Sequence, residues 1–429
     1  MDCDVAIIGA GVSGLAAASR LTRHGKQVIC LEASGRIGGR ILTIHDPLSP
    51  LPMELGAEFL HGRPAASWDL IQAAALPFYE LGSQFLHLHR GEIRGDEKVA
   101  EAADELVSNL AATPDRSFAD ALQGSRYPPQ VQQWATAKVE GFNAARKDRI
   151  SVASLQQDAE AADAIEGDRS FRILSGYDQL PLAIYHSIPD APSVVRLHQW
   201  VSTVQWKKGE ARLQMRSTLT GNESSLRCRH LIVTVPLGVL QAEETIRFEP
   251  RPEAILDAVG KLEFGQVYRL GLRFENAFWE EDERLADATF LLSQEDCFPT
   301  WWTTKPVITP LLTGWSSGPS SDRLIGTSQA NVIEQALESL SRILNRKVPE
   351  PAAAYFHDWY SDPFFRGAYS YVPVRGRNAR RTLSTPVEDT LFFAGEATST
   401  NGHGGTVHGA IETGERAAKQ ILDRDNGAD

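Results

Sequence analysis

The segment from residue 9 to residue 14 has the pattern GxGxxG, which is typical of a phosphate-binding turn. Gly9 can make the tight turn, Gly11 lets the backbone approach a pyrophosphate, and Gly14 lets a helix and a strand pack closely. The pattern follows an apolar strand and opens a helix, whose free N–H groups favour phosphate. The sequence therefore predicts a dinucleotide site that includes Gly9, Gly11, Val12, Ser13 and Gly14.

An acidic residue closes the next predicted strand, as a dinucleotide site requires. Glu32 can accept hydrogen bonds from ribose hydroxyls, which disfavours a nucleotide with a 2′-phosphate. We expect Glu32 and its neighbour Ala33 to contact the ribose.

The segment that follows Glu32 favours FAD over NAD. Residues 32–40 read EASGRIGGR and contain a second glycine pair flanked by arginines. NAD dehydrogenases do not need this segment, whereas the pyrophosphate and ribityl chain of a flavin nucleotide run past a second loop. We predict FAD contacts at Arg36, Gly38, Gly39 and Arg40.

Apolar periodicity predicts the elements that position these residues. A strand–helix–strand unit is expected at residues 4–8, 14–24 and 26–31. Further helices are expected at residues 65–82, 98–123 and 407–422. Further strands are expected in the alternating segment 196–214, which turns at 207–209, and at residues 230–235, 266–274 and 391–394.

A chain of 429 residues is too long for one compact core, so two domains are expected. We predict an α/β fold in which an FAD-binding Rossmann-like domain is interwoven with an α+β substrate domain. The first is assigned residues 1–75, 195–245 and 385–429, with Val201 among its FAD contacts. The second is assigned residues 76–194 and 246–384.

The composition is that of an ordinary globular protein, and it narrows the partners. The net charge of −12 argues against nucleic acid and mildly favours cationic small molecules. The four cysteines are scattered without metal-ligand spacing, so we expect no metal site and a reducing compartment. No apolar run is long enough to span a membrane, and the tail from residue 423 to residue 429 is polar. These features predict a cytoplasmic protein.

Three segments together carry a family resemblance. They are the glycine-rich N-terminus through residue 40, the sequence LGAEFLHG at 55–62, and FFAGE at 392–396, which continues through GGTVHGA at 404–410 to GERAA at 414–418. The chain resembles the flavin-dependent amine oxidases: monoamine oxidases, polyamine oxidases and the lysine-specific histone demethylase. Its motifs are most similar to the polyamine oxidase branch. The resemblance implies further FAD contacts at Gly56, Ala57, Glu58, Gly395, Glu396, Thr406 and Val407.

The resemblance also implies which residues face the substrate. Tyr369 matches one half of an aromatic cage in front of the flavin, Thr406 stands at the other half, and Trp359 belongs to the same aromatic wall. His61 is similar to a histidine at the cavity mouth of polyamine oxidases. Ala368 stands where monoamine oxidases carry the cysteine that bonds to flavin, which implies non-covalent FAD.

Arg269 is the main departure from the family pattern. It stands where the family has a lysine that holds a water against flavin N5. An arginine stays protonated and cannot act as a base at neutral pH, but it can hold a water or a carboxylate. Fast reoxidation by oxygen is therefore in doubt.

The leading hypothesis is an FAD-dependent oxidoreductase that oxidises the C–N bond of a small amine, with polyamines among the candidates, to an imine. Oxygen or another acceptor would reoxidise the flavin. The alternative is a C–C desaturase or dehydrogenase similar to the carotenoid and protoporphyrinogen enzymes. A third hypothesis is a flavin-binding protein without catalysis. The sequence names neither the amine, the acceptor nor the oligomeric state.

Overall fold

The structure is a computed structural model that describes residues 1–94, 97–294 and 297–426. Its strands are β1 Cys3–Ile8, β2 Val28–Leu31, β3 Thr43–Ile44, β4 Met53–Glu54, β5 Leu60–His61, β6 Phe78–Glu80, β7 Phe85–His89, β8 Glu92–Arg94, β9 Ser170–Ile173, β10 Val195–Arg196, β11 Gln199–Lys207, β12 Glu210–Ser217, β13 Glu223–Val233, β14 Arg247–Glu249, β15 Glu263–Gly265, β16 Val267–Arg273, β17 Phe290–Leu292, β18 Thr300–Trp302, β19 Leu311–Ser317, β20 Ala353–Phe356, β21 Tyr369–Tyr371 and β22 Leu391–Phe393.

The helices lie between these strands. They are α1 Val12–Arg23, α2 Ala65–Ala73, α3 Glu97–Ser108, α4 Phe118–Leu122, α5 Pro129–Asn143, α6 Val152–Asp163, α7 Gln179–His186, α8 Ala191–Val194, α9 Leu237–Gln241, α10 Glu253–Val259, α11 Pro319–Asp322, α12 Gln329–Leu344, α13 Ala379–Ser384 and α14 Val407–Asn426, with 3-10 turns at Phe278–Glu281 and Glu396–Thr398.

The N-terminal strand β1 lies in the middle of the main sheet. The order is β10-β2-β1-β13-β12-β11-β14, and β22 also pairs with β13. Strands β2 and β13 run parallel to β1, β22 runs parallel to β13, and Val5, Ala6 and Ile7 of β1 are fully buried. Parallel strands covered on both faces are apolar throughout, which is why residues 4–8 could be recognised as a strand. The predicted strand–helix–strand unit and the α/β fold are confirmed.

The alternating segment forms the hairpin β11–β12. Lys207 pairs with Glu210 across the predicted turn, and alternate residues of both strands are buried. The next strand begins at Glu223, seven residues before the predicted start. The prediction missed its first half because that half is exposed on alternate residues and lacks an apolar run. The main sheet takes strands from residues 3–31, 195–249 and 391–393. The two-domain division remains a prediction.

A second sheet provides the opposite part of the molecule. Its order is β20-β16-β19-β18-β17-β7-β8, and β16 lies between the edge strand β20 and β19. The predicted strand at 266–274 is confirmed as β16. Helix α12 packs its buried stripe, which includes Val332, Ala336 and Leu340, into the core of this sheet.

Two helix predictions were wrong in part. The predicted helix 65–82 ends at Ala73, because Ala75 has a φ of 50° and Pro77 lacks an amide hydrogen, and the chain continues as β6. The predicted helix 98–123 is divided into α3 and α4. Pro114 lies between them, and the Ser117 side chain caps α4 by accepting a hydrogen bond from the Asp120 N–H at 3.1 Å.

The C-terminal helix α14 is confirmed and lies directly against α1. A Cβ atom on Gly414 would lie 2.1 Å from the carbonyl oxygen of Ser13, so the helices are in backbone contact. Residues 427–429, part of the predicted polar tail and FAD domain, lie outside the described residues. In the ranges that the structure describes, no helix has the length and apolar character to cross a membrane, and no group of side chains could hold a metal ion.

Candidate active site

One cavity of about 1220 Å³ connects the glycine-rich turns with a group of aromatic side chains. Among the predicted site residues, Gly14 and Arg36 do not line it. The other predicted residues line its wall: Gly9, Gly11, Val12, Ser13, Glu32, Ala33, Gly38, Gly39, Arg40, Gly56, Ala57, Glu58, His61, Val201, Arg269, Trp359, Tyr369, Gly395, Glu396, Thr406 and Val407.

The GxGxxG segment forms the turn between β1 and α1. Gly9 has a φ of 102°, a backbone angle that residues with a side chain rarely adopt. A Cβ on Gly14 would lie 1.9 Å from the Gly9 carbonyl oxygen. Gly14 therefore acts through helix–strand packing. Gly11 faces the second glycine loop, where a Cβ on Gly39 would lie 3.2 Å from the Gly11 Cα. The two loops form a cradle without side chains, which fits a pyrophosphate.

Glu32 has the geometry of a ribose acceptor. Its Oε2 accepts a hydrogen bond from the Ala10 N–H and its Oε1 from the Ser34 N–H, both at 2.8 Å. Each carboxylate oxygen has two lone pairs, so one remains on each for a hydroxyl donor. The cradle and this carboxylate fit an FAD molecule, and its contacts would be the cavity-lining residues around them.

Arg36 does not contact the cavity, although the sequence predicted an FAD contact. Its guanidinium donates to the carbonyl oxygens of Gly39 at 2.7 Å and Ile41 at 2.8 Å. Burial lowers its pKa, with Glu32 acting in the opposite direction. Because Arg36 does not line the cavity, its donors stabilise the loop and not a ligand. Arg36 shapes the second glycine loop.

Glu396 joins three segments around the cavity. Its Oε1 accepts from Arg40 Nη1 at 2.9 Å, and its Oε2 accepts from Ser370 Oγ at 2.6 Å and the Gly405 N–H at 3.0 Å. Burial acts to raise its pKa, but Arg40 and Ser370 hold that pKa below its usual value. Arg40 also donates to the Ala368 carbonyl oxygen at 2.6 Å. Ala368 lines the cavity and offers no sulfur, so FAD has no covalent attachment there.

Thr406 caps helix α14 and has no hydroxyl hydrogen left for a substrate. Its Oγ1 donates to the His403 carbonyl oxygen at 2.8 Å and accepts from the Gly409 N–H at 3.0 Å. Its predicted place opposite Tyr369 in an aromatic cage stays a prediction; in the structure the side chain fixes the N-terminus of α14 at the cavity wall. Helix N-termini stabilise negative charge, which suits the electron-rich edge of a flavin.

Arg269 lies in a buried ionic cluster with Glu58. Its Nη1 donates to the Gly56 carbonyl oxygen at 2.6 Å, and its Nη2 contacts Glu58 Oε2. Glu58 Oε1 contacts Arg172, and Trp302 Nε1 donates to Glu58 Oε2 at 3.0 Å. Burial lowers the pKa of Arg269 to about 9, which leaves the guanidinium charged at neutral pH.

This cluster argues against two roles, a grip by Arg269 on a substrate carboxylate and a contact of Glu58 with a cationic substrate. Arg269 already pairs with the Glu58 carboxylate and its side chain is only 3% exposed, so little of its guanidinium is open to a substrate carboxylate. Glu58 has a side chain only 1% exposed, with an arginine on each oxygen, so it cannot meet a cationic substrate.

The three predicted aromatic and imidazole side chains are held by hydrogen bonds. Tyr369 OH donates to the Phe142 carbonyl oxygen at 2.7 Å, and Trp359 Nε1 donates to the Leu55 carbonyl oxygen at 2.8 Å. His61 Nδ1 lies 3.3 Å from a serine hydroxyl, and burial lowers its pKa to about 4, so the ring is neutral at pH 7.

Several residues of the site were missed by the sequence predictions. Trp302 and Trp315 come from adjacent strands β18 and β19 and Phe142 from the end of α5, and all three line the cavity. Arg172 of β9 belongs to the site through its contact with Glu58. The tryptophan pair at 301–302 was a usable signal. Consecutive strand residues face opposite sides of a sheet, so only one of two neighbouring tryptophans can face a given core, and the other faces the opposite side. Arg172 gave no signal, since its partner Glu58 lies over 100 residues away.

The sequence profile of a family described as "Flavin containing amine oxidoreductase" matches residues 12–422. The chain belongs to this family. The predicted resemblance is confirmed, and so is the flavin cofactor of its members.

Named relatives cover nearly the whole chain. It is 27% identical to polyamine oxidase 4 of Oryza sativa subsp. japonica, over 98% of this chain and 88% of that protein. It is 28% identical to lysine-specific histone demethylase 1 homolog 3 of Arabidopsis thaliana, over 98% of this chain but only 30% of that protein. A putrescine oxidase solved with bound putrescine has a TM-score of 0.83 at 22% identity, covering 99% of this chain and 100% of that one. This last likeness shows a shared fold.

Proposed function

We propose that this chain uses FAD to oxidise the C–N bond of a small amine to an imine, which water converts to a carbonyl compound and a released amine or ammonia. The observation that carries the proposal is that the glycine cradle and the aromatic pocket are parts of one cavity. A substrate in the pocket would therefore lie next to a flavin extending from the cradle. Membership of the flavin-containing amine oxidoreductases supports the same chemistry.

FAD, when bound, accepts the two electrons that the amine loses, while the protein supplies binding and placement. Gly11, Gly39 and Glu32 would hold its nucleotide half, and the capped N-terminus of α14 would face charge that develops on the reduced ring. The ring of Tyr369 is fixed by its hydrogen bond to the Phe142 carbonyl oxygen, so it forms an immobile wall for the amine.

The cavity also favours the reactive, neutral form of the amine. Removing an ammonium from water disfavours its charged form, and the nearby Arg269 guanidinium does so further. Glu58 cannot offset this effect, because two arginines neutralise it. We therefore expect the bound amine to have a pKa below its value in water.

The electron acceptor and the cell compartment are further proposals. Oxygen or another small acceptor would reoxidise the flavin, and Arg269, whose guanidinium stays charged at neutral pH, would contribute a fixed positive charge. A cytoplasmic location is favoured by the scattered cysteines, which are present as thiols.

Anaerobic addition of amines tests the proposal. We expect amines to bleach the visible bands of the bound flavin, and the carbonyl product to appear on mixing with an acceptor. The Gly11→Val protein is the matched control, because a side chain there enters the cradle and should leave little flavin to bleach. If no amine bleaches a fully flavin-loaded protein, the proposal is wrong and the C–C desaturase alternative becomes the better hypothesis.

A further inference from the structure

Six ring side chains form a continuous aromatic belt in the cavity wall. Neighbouring ring centroids lie 5.5 to 6.1 Å apart, within the range for favourable aromatic contacts. The belt consists of Phe59, His61, Phe142, Phe290, Trp302 and Trp315, and each of them lines the cavity.

The indole N–H groups of the belt donate within the protein. Trp302 Nε1 donates to Glu58, as described above, and Trp315 Nε1 donates to Ser317 Oγ at 2.9 Å. His61 is uncharged at neutral pH and lies beside the Ser170 hydroxyl. The belt therefore offers mainly carbon surface to a ligand.

The charge next to the belt is positive. The Arg269 guanidinium lies 5.2 Å from the centroid of the Trp302 ring, so a cation already occupies that aromatic face. The Glu58 carboxylate, which could have held an ammonium, contacts Arg172 and Arg269 instead. A second ammonium group on a substrate would find neither an open carboxylate nor a free Trp302 face here, and burying it unpaired is costly.

Among the residues that the structure describes, the remaining carboxylates of the cavity wall outside the cradle do not change this result. Four of them have basic partners: Glu80 with Arg169, Asp104 with Lys138, Asp158 with Arg380, and Glu396 with Arg40. Glu101 and Asp168 are exposed. A charge pair at such a water-accessible position contributes little to affinity.

We propose that the substrate carries an apolar alkyl or aryl group next to the oxidised amine, and no second positive charge where that group meets the aromatic belt. This inference rests on the proposed function and specifies its substrate class. It makes Phe142 a residue that determines specificity through direct apolar contact. Arg269 determines specificity because it occupies the Glu58 carboxylate, which an ammonium group could otherwise bind, and because its charge repels a second cation.

Hexylamine and hexane-1,6-diamine form a matched pair of probes, because they differ only in a terminal methyl or ammonium group. The holoenzyme is mixed anaerobically with each, and the rate constant of flavin bleaching is divided by the dissociation constant. We expect hexylamine to be favoured roughly tenfold or more, since one apolar group in a hydrophobic pocket has an effect of this order. Tryptophan fluorescence of enzyme reduced beforehand gives both affinities without turnover, and we expect the same order there.

Phe142→Ala tests the belt itself. The Phe142 side chain is 64% exposed, and its backbone carbonyl, which binds Tyr369, remains in the variant, so the fold should be kept. We expect a loss of about tenfold for hexylamine and a much smaller change for the diamine. Leu219→Ala is the control, because Leu219 is 74% exposed and does not line the cavity. Melting temperatures of both variants check folding.

The outcomes separate the two proposals. Bleaching by the diamine as fast as, or faster than, by hexylamine would overturn the apolar substrate class and leave amine oxidation standing. Equal losses for both amines in Phe142→Ala would also overturn it. Failure of every amine to bleach the loaded enzyme would remove both proposals.

Discussion

Glu58 is stabilised as a buried anion by three donors that the chain brings from three strands. Arg172 comes from β9, Arg269 from β16 and Trp302 from β18. A buried carboxylate without such partners would be strongly destabilising. The cluster therefore joins the second sheet to the loop at residues 55–58, and each member depends on the others.

Removing one member should show this dependence. Glu58→Leu leaves two buried guanidinium groups unpaired, and we expect it to lower the free energy of unfolding by about 3–5 kcal/mol. The double variant Glu58→Leu/Arg269→Leu should lose less than the sum of the single losses, with a coupling of about 0.5–3 kcal/mol in urea denaturation. The exposed pair Arg146 and Asp148 is the control, with an expected coupling below about 1 kcal/mol. Strict additivity at Glu58 and Arg269 would contradict the cluster.

A second residue-level prediction concerns Glu32. Glu32→Ala removes the acceptor for ribose hydroxyls and also the acceptor of the Ala10 N–H, so FAD affinity should fall by about 1.5–3 kcal/mol. The ratio of flavin to protein absorbance in purified protein measures it. Glu223→Ala, at an exposed position of β13, should keep normal flavin content. Full occupancy in Glu32→Ala would mean that the ribose lies elsewhere.

At the residue scale, local chemistry could be predicted and long-range pairing could not. The GxGxxG turn and Glu32 were recognisable because their spacing in the chain matches their geometry. The side-chain partners of Arg36, Arg269 and Thr406 were not recognisable. Arg36 binds carbonyl groups of its own loop and Thr406 caps a helix, whereas the hydrogen-bond and ion-pair partners of Arg269 come from the loop at residues 55–58, more than 200 residues away in the chain.

At the scale of elements, the contact between α1 and α14 controls the position of the cradle. Helix α1 begins one residue after Gly11, so any displacement of α1 moves the turn that faces the pyrophosphate. The contact is tightest where Gly414 meets the Ser13 carbonyl oxygen.

Two glycine-to-alanine substitutions with opposite expected effects on stability test this contact. Glycine to alanine within a helix normally stabilises by about 1 kcal/mol. Gly141→Ala in α5 should do so, because its Cβ would meet only Ser317 Oγ at 3.9 Å. Gly414→Ala should instead destabilise and lower flavin content, because its Cβ would lie 2.1 Å from a backbone oxygen. Thermal melting and flavin absorbance measure both. Stabilisation by both substitutions would show that the helices are farther apart than described.

Elements were predictable where apolar spacing was regular. Strand β1, helix α1 and helix α14 have such spacing, and their predicted bounds were close. The segment 65–82 was rich in alanine and apolar residues, but the turn at Ala75 and the pairing of β6 with β9 decided its structure. Strand pairing is a tertiary contact, which local propensity cannot report.

At the scale of the whole molecule, buried neutral histidines should make folding sensitive to acid. His408 is 6% exposed. Burial lowers its pKa from 6.5 to about 3, and the neighbouring His403 makes a smaller contribution in the same direction. Between these values the unfolded chain binds a proton that the folded protein does not, so stability falls as the pH falls below 6.5. His408→Gln should reduce the loss between pH 7 and pH 5 by about 2 kcal/mol.

Urea denaturation at the two pH values measures this effect. An unchanged pH dependence in the His408 variant would show that this imidazole is protonated in the folded protein.

The contact between Ser13 and Gly414 also sets an order of events during translation. The cradle turn leaves the ribosome early, but the helix that holds α1 in place is made about 400 residues later. At synthesis rates of about 5–20 residues per second, that delay is roughly 20–80 s. Throughout it, the apolar face of α1 lacks its final partner, and strand β13 lacks its neighbour β22. Flavin can therefore be captured securely only when synthesis has passed α14, and a chain shortened before this helix would be released with its cradle unsupported.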